Sequence, residues 1–162
     1  MKIYFVLNGQ PRYVELDPGE SLADLLRRLE IKSVKIGCDT GDCGSCTVLV
    51  DGRAVRSCLT FAAQVQGRRV LTVEGVGTVA QPHPLQEAFV EAGAVQCGFC
   101  IPGMVLVAYE LLSRTDQPTE QEVREAICGN ICRCTGYNKI VDAVMLAAAW
   151  KREGRWKPSP SL

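Results

Sequence analysis

The spacing of nine cysteines constrains this chain more than any other feature. Cys38, Cys43 and Cys46 lie in GCDTGDCGSC, and Cys58 follows. Cys97 and Cys100 lie in QCGFCIPG, and Cys132 and Cys134 lie in GNICRCTGY, with Cys128 just before them. An odd count argues against a complete disulfide framework. The opening MKIYFVLNG has too short an apolar stretch for a secretory signal, and no twin-arginine pair opens the chain, so a cytoplasmic setting is expected, where thiols stay reduced. Metal ligation by thiolate is therefore the reading to test.

C-x4-C-x2-C with a later fourth cysteine is the plant-type 2Fe–2S spacing. Such a loop wraps round its cluster, and Gly37, Gly41 and Gly44 are expected to supply the backbone angles that other residues resist. Backbone N–H groups of the same loop can then point at the sulfurs and raise the reduction potential. The second set, Cys97, Cys100, Cys132 and Cys134, is less specific taken alone. C-x2-C serves zinc, redox dithiols and clusters alike. No strand leads into it, as a thioredoxin-like pair requires, and C-x-C is tighter than a zinc knuckle. A Rieske centre needs two histidines, and the chain has only His83, which reads as part of a polar turn. Cys128 reads as a small buried side chain on a helix.

Lys plus Arg and Asp plus Glu both number 18, so no basic face marks a nucleic-acid partner. The apolar stretch at residues 101–109 is far short of the ~20 residues that span a membrane. Residues 2–7 and 12–17 read as strands around Asn8-Gly9, and residues 47–50 and 53–55 as a hairpin around Asp51-Gly52. Ser21 opens a helix with Leu22, Leu25, Leu26 and Leu29 on one face, and residues 70–73 form a further strand. EGVGTVAQPHP reads as a linker. Beyond it four helices are expected: one carrying Leu85, Ala88, Phe89 and Ala92, a buried one over 104–112, one capped by Thr119 and Glu122, and one over 140–150. A basic, Pro-containing tail over 151–162 is expected to lie extended. Each cysteine pair of the second set should sit near a helix start, where free N–H groups favour a cluster carrying roughly two negative charges.

Together, GCDTGDCGSC, QCGFCIPG and GNICRCTGY resemble the small iron–sulfur subunit of the molybdenum hydroxylases, the xanthine dehydrogenase and aldehyde oxidoreductase group. The resemblance runs from KIYFVLNG to the helix ending near Trp150. It implies an α+β chain: a ferredoxin-like β-grasp domain over residues 1–75, then an all-α four-helix domain over 76–162. It implies two 2Fe–2S clusters, with Cys97, Cys100, Cys132 and Cys134 holding the one nearer molybdenum and Cys38, Cys43, Cys46 and Cys58 the other. A large partner subunit would carry the molybdenum–pterin cofactor, and a medium subunit FAD. Gln96 matches a glutamine that approaches the pterin, and Cys134 a ligand whose sulfur accepts a hydrogen bond from it; Gln96 read without the family is a polar helix-end residue. Arg133 could offset cluster charge. Ile101 and Cys128 depart from residues common in relatives. The implied function is electron transfer within the complex, with no catalytic group on this chain. The alternative is a free-standing two-cluster carrier.

Overall fold

The computed structural model describes residues 1–156. Two tight turns set the register of a mixed sheet. Asn8 and Gly9 both have positive φ (49° and 78°), which matches the twist of a two-residue hairpin and joins β1 (Lys2–Leu7) to β2 (Gln10–Glu15). Asp51 and Gly52 (48° and 81°) do the same for β3 (Thr47–Val50) and β4 (Arg53–Arg56). The second strand thus begins at Gln10 rather than at 12, because the turn brings Leu7 opposite Gln10, and Pro11 is tolerated on this outer strand. With β5 (Arg69–Leu71) the sheet order is β2-β1-β5-β3-β4, in which only β1 and β5 run parallel. Helix α1 (Leu22–Arg28) starts at Ser21, whose hydroxyl accepts from the Asp24 N–H (3.1 Å). Leu22, Leu25 and Leu26 bury completely with Ile3, Phe5, Leu7 and Val48, so one face of the sheet is closed by this single helix.

The stretch read as a linker is more ordered than its Gly and Pro content suggests. It opens with a helical turn, α2 (Val73–Val76), and Glu74 accepts from the Ser33 hydroxyl (2.6 Å) and the Ser33 N–H (3.2 Å). His83 is not part of a polar turn. It is 5% exposed, caps α3 (Pro84–Glu91) by accepting from the Leu85 N–H, and meets the rings of Tyr109 and Trp156 edge-on. Histidine does this because its ring combines an apolar face with a polar tip.

Helix α4 (Ile101–Arg114) is the centre of the second half, with Gly103–Tyr109, Leu111 and Leu112 all buried. It begins three residues earlier than the sequence pattern indicates. Pro102 does not interrupt it, because a first-turn residue has no intrahelical N–H bond to lose. Around it pack α3, α5 (Glu120–Ile127) and α6 (Asn138–Arg152), sharing one apolar core. Leu49 and Leu71 of the sheet belong to this second core, so the helices cover the sheet's other face along β3, β4 and β5. The tail also differs from expectation: α6 continues through Arg152, then the chain turns back at Gly154 (φ 80°), so that Arg155 lies over the Trp150 ring (3.7 Å) and Trp156 stacks on Tyr109. Residues 157–162 of that tail lie outside the described residues. Among the described residues no helix is long and apolar enough to cross a membrane.

Candidate metal centres

All nine cysteines are free thiols. Eight of them lie as neighbouring pairs, two pairs from each motif set, although among the described residues no three metal-binding side chains converge on a single ion site. In the first group, the Cys46 and Cys58 sulfurs lie 3.3 Å apart, and Cys38 Sγ accepts from the Cys43 N–H (3.3 Å). In the second, the Cys97 and Cys134 sulfurs lie 3.5 Å apart, and Cys132 is the hydrogen-bonding neighbour of the Cys100 thiol. Sequence spacing does not reveal this pairing, which joins residues 37 positions apart.

The first loop shows why its glycines are needed. Gly41 and Gly44 have φ of 83° and 72°, as expected. Gly37 serves differently: a Cβ there would lie 3.1 Å from the Cys43 sulfur and 3.3 Å from the Phe99 ring, so its lack of a side chain gives room. The Thr40 N–H joins that of Cys43 on Cys38 Sγ (3.4 Å). In the second group Cys100 caps the N-terminus of α4, whereas Cys132 and Cys134 stand a short turn ahead of α6. That turn uses Gly136 and Tyr137, both with positive φ (64° and 70°), and the Tyr137 hydroxyl accepts from the Cys132 N–H (2.9 Å). A non-glycine residue held there stores strain of ~1–3 kcal/mol, which is typical of a built site.

The thiols are unevenly ionisable. The Thr40 side chain, then the backbone N–H groups of Cys43 and Thr40, hold Cys38 down at about 6. Burial, then Cys46, pushes Cys58 up to about 11, and burial, then Cys132, pushes Cys100 up to about 12. The Cys97 side chain raises Cys134. Burial works upward on Cys132 too, but the Thr135 hydroxyl (3.0 Å) and N–H (3.4 Å) outweigh it and leave the thiol below its ordinary value. Four thiols are the donor set that a 2Fe–2S cluster takes, so the four cysteines of each motif set would be able to hold one. Each group would bind one by releasing its remaining protons.

Cys128 stands apart. It is exposed at the C-terminal cap of α5, not buried in it, because Val123 and Ile127 fix the apolar face and the next residue turns about 100° away. Gln96 and Arg133 are exposed, and Ile101 is half-buried at the first position of α4. Around the exposed Cys97 and Cys134 lie further exposed apolar side chains, Val95 (41%), Phe99 (45%) and Ile131 (52%).

Two family profiles divide the chain between them. The 2Fe-2S iron-sulfur cluster binding domain matches residues 5–72, and the [2Fe-2S] binding domain matches 72–145. The chain is 52% identical over 140 residues to the nicotine 6-hydroxylase small subunit of Paenarthrobacter nicotinovorans, covering 86% of this chain and 84% of that one. It belongs to the iron–sulfur subunits of the molybdenum hydroxylase family. It is also 44% identical to the xanthine dehydrogenase iron-sulfur-binding subunit of Escherichia coli O157:H7, over 86% of this chain and 89% of that one. Among solved structures, quinoline 2-oxidoreductase from Pseudomonas putida 86 superposes with a TM-score of 0.90 at 44% identity, covering 96% of this chain and 98% of that chain. Aldehyde oxidoreductase from Desulfovibrio gigas gives 0.91 at 41% identity, covering 98% of this chain but 18% of that one. The α+β architecture, a ferredoxin-like domain followed by a helical one, is thereby shown, as is a role in electron transfer for a heteromeric oxidoreductase. A free-standing carrier is not favoured.

Proposed function

We propose that Cys38, Cys43, Cys46 and Cys58 hold one 2Fe–2S cluster and Cys97, Cys100, Cys132 and Cys134 the other, within units spanning residues 1–75 and 76–162. The observation that carries this is the pairing of eight thiols two and two, with N–H and hydroxyl donors aimed at Cys38 and Cys132. When bound, such clusters accept and release single electrons. This chain's own residues supply the ligands, the hydrogen bonds that tune them, and the shielding. Leu49 and Leu71 tie sheet to helices, so the two groups are held in one frame.

The exposed face around Cys97, Cys134 and Gln96 is where a large molybdenum–pterin subunit would dock. Its apolar side chains Val95, Phe99 and Ile131 give the contact, and Gln96 an amide for the pterin. Electrons would then enter at the helical unit and leave from the first group toward FAD in a medium subunit, all in the cytoplasm. The substrate pocket would lie on the partner. The test is to recover the tagged chain from its native host and identify what comes with it. A molybdenum-containing large chain in fixed proportion is expected. A chain that stays monomeric while carrying both clusters would restore the free carrier.

A further inference from the structure

We propose that Asn130, braced by Arg56, is the positioning residue that fixes the two cysteine loops against each other and so sets the electronic coupling between the two clusters. This rests on the two-cluster reading and deepens it.

Asn130 is 2% exposed and sits two residues before Cys132. Its Nδ2 donates across to the first loop, to the Gly44 carbonyl (3.0 Å) and the Thr47 hydroxyl (3.3 Å). That hydroxyl gives its one proton to the same Gly44 carbonyl (2.6 Å) and accepts from Arg56 Nη1 (2.9 Å), so its capacity is filled. Arg56 Nη2 reaches back to the Gly129 carbonyl (2.6 Å), closing the ring between the two halves of the chain. Beside this node the Ile131 N–H donates to the Cys43 carbonyl (2.8 Å). A single hydrogen bond therefore joins the backbone next to Cys132 to that of Cys43 itself.

The approach is as close as backbone permits. A Cβ on Gly44 would lie 2.5 Å from the Gly129 carbonyl, and one on Gly103 would lie 2.6 Å from the Gly44 carbonyl and 2.8 Å from Asn130 Nδ2. Gly103 follows Cys100 by one helical turn. Segments bearing Cys43, Cys100 and Cys132 thus converge on one amide. Packing alone does not explain an asparagine here. Its Oδ1 meets no donor among the described residues, and an unpaired buried acceptor costs stability that an apolar side chain would avoid. What asparagine supplies is the donor that spans the gap. Electron tunnelling and magnetic interaction both fall steeply with separation, so a residue that fixes the gap governs both.

The test compares Asn130→Ala, Asn130→Asp (same shape, donor lost), Thr47→Val and Thr47→Ser in the complete protein with its clusters. Iron content and the two cluster signals report assembly. The spin–spin interaction of the fully reduced protein and the rate of electron exchange after pulsed reduction report coupling. The first three variants should keep their iron, change the magnetic interaction and slow exchange severalfold, while Thr47→Ser behaves as the parent. If Asn130→Ala loses its clusters, the Thr47 pair decides in the same terms. Unchanged interaction and rate in Asn130→Asp and Thr47→Val, with both signals present, would overturn the proposal and leave the two-cluster reading standing. A parent protein without iron would instead defeat that reading.

Discussion

Replacing Gly44 with alanine should be among the most damaging single-methyl changes available to this protein. Gly44 has a φ of 72°, where a Cβ-bearing residue costs ~1–2 kcal/mol. The added Cβ would also lie 2.5 Å from the Gly129 carbonyl, 2.8 Å from Asn130 Cγ and 2.9 Å from Asn130 Cα. Two of these are backbone atoms, so a side-chain rotation does not relieve them, and overpacking of this kind adds ~1–3 kcal/mol. The sum, about 2–5 kcal/mol, lowers the midpoint of thermal unfolding by roughly 4–20 °C in a chain of this size. Gly67 gives an internal control, because it has the same φ of 72° but a Cβ there meets nothing within 4 Å. Gly67→Ala should therefore show the conformational cost alone, roughly 2–8 °C. Thermal unfolding followed by circular dichroism and by loss of cluster absorbance measures both variants. Equal shifts for the two would refute the argument from close approach.

Arg56→Gln removes the cation that ties Thr47 to Gly129 between the two groups. Both reduction potentials should fall by on the order of tens of millivolts in an EPR-monitored titration, with Arg56→Lys nearer the parent. In the iron-free chain at neutral pH, Cys38, held at about 6, should alkylate well before Cys58 and Cys100, which lie at about 11 and 12. Peptide mapping by mass spectrometry checks this: Cys38 alkylation should slow as the pH drops below about 6, and its lead over the other two should close only as the pH rises toward about 11 and 12. Thr119→Ala removes the hydroxyl that accepts from the Glu122 N–H and should cost about 1 kcal/mol near neutrality. The Thr119 N–H, then its hydroxyl, hold Glu122 below its ordinary 4.5. The carboxylate's share of the cap is thus fully present above that value and lost as the pH falls through the lower folded one. The penalty measured by denaturant unfolding should shrink in acid.

Much of this was legible because local rules decide it. Asn8-Gly9 and Asp51-Gly52 force two-residue turns, and the turns fix the pairing of four strands. The leucines after Ser21 and the Thr119–Glu122 cap mark helices by spacing alone. Cysteine spacing marks the loop of Cys38, Cys43 and Cys46, because that pattern is short and local. What stayed hidden is long-range. That Cys97 pairs with Cys134, and Cys46 with Cys58, depends on how the loops face each other. The Arg56–Thr47–Asn130 node joins residues far apart in the chain, each unremarkable in its own segment. His83 and the start of the tail were misread for the same reason: His83 is buried and Trp156 partly buried by ring contacts with each other and with Tyr109, and neither carries a periodic signal. The start of α4 at Ile101 rather than at 104 stayed hidden because a proline's effect depends on its place within the helix.

The most direct test of two clusters on eight named ligands is metal analysis joined to EPR on the purified, reduced protein, run beside Cys46→Ser and Cys134→Ser. The account requires about four irons per chain and two distinct 2Fe–2S signals, with Cys46→Ser disturbing only one and Cys134→Ser only the other. Zinc in place of iron, a single signal, or both signals lost from either variant with the fold intact would contradict it.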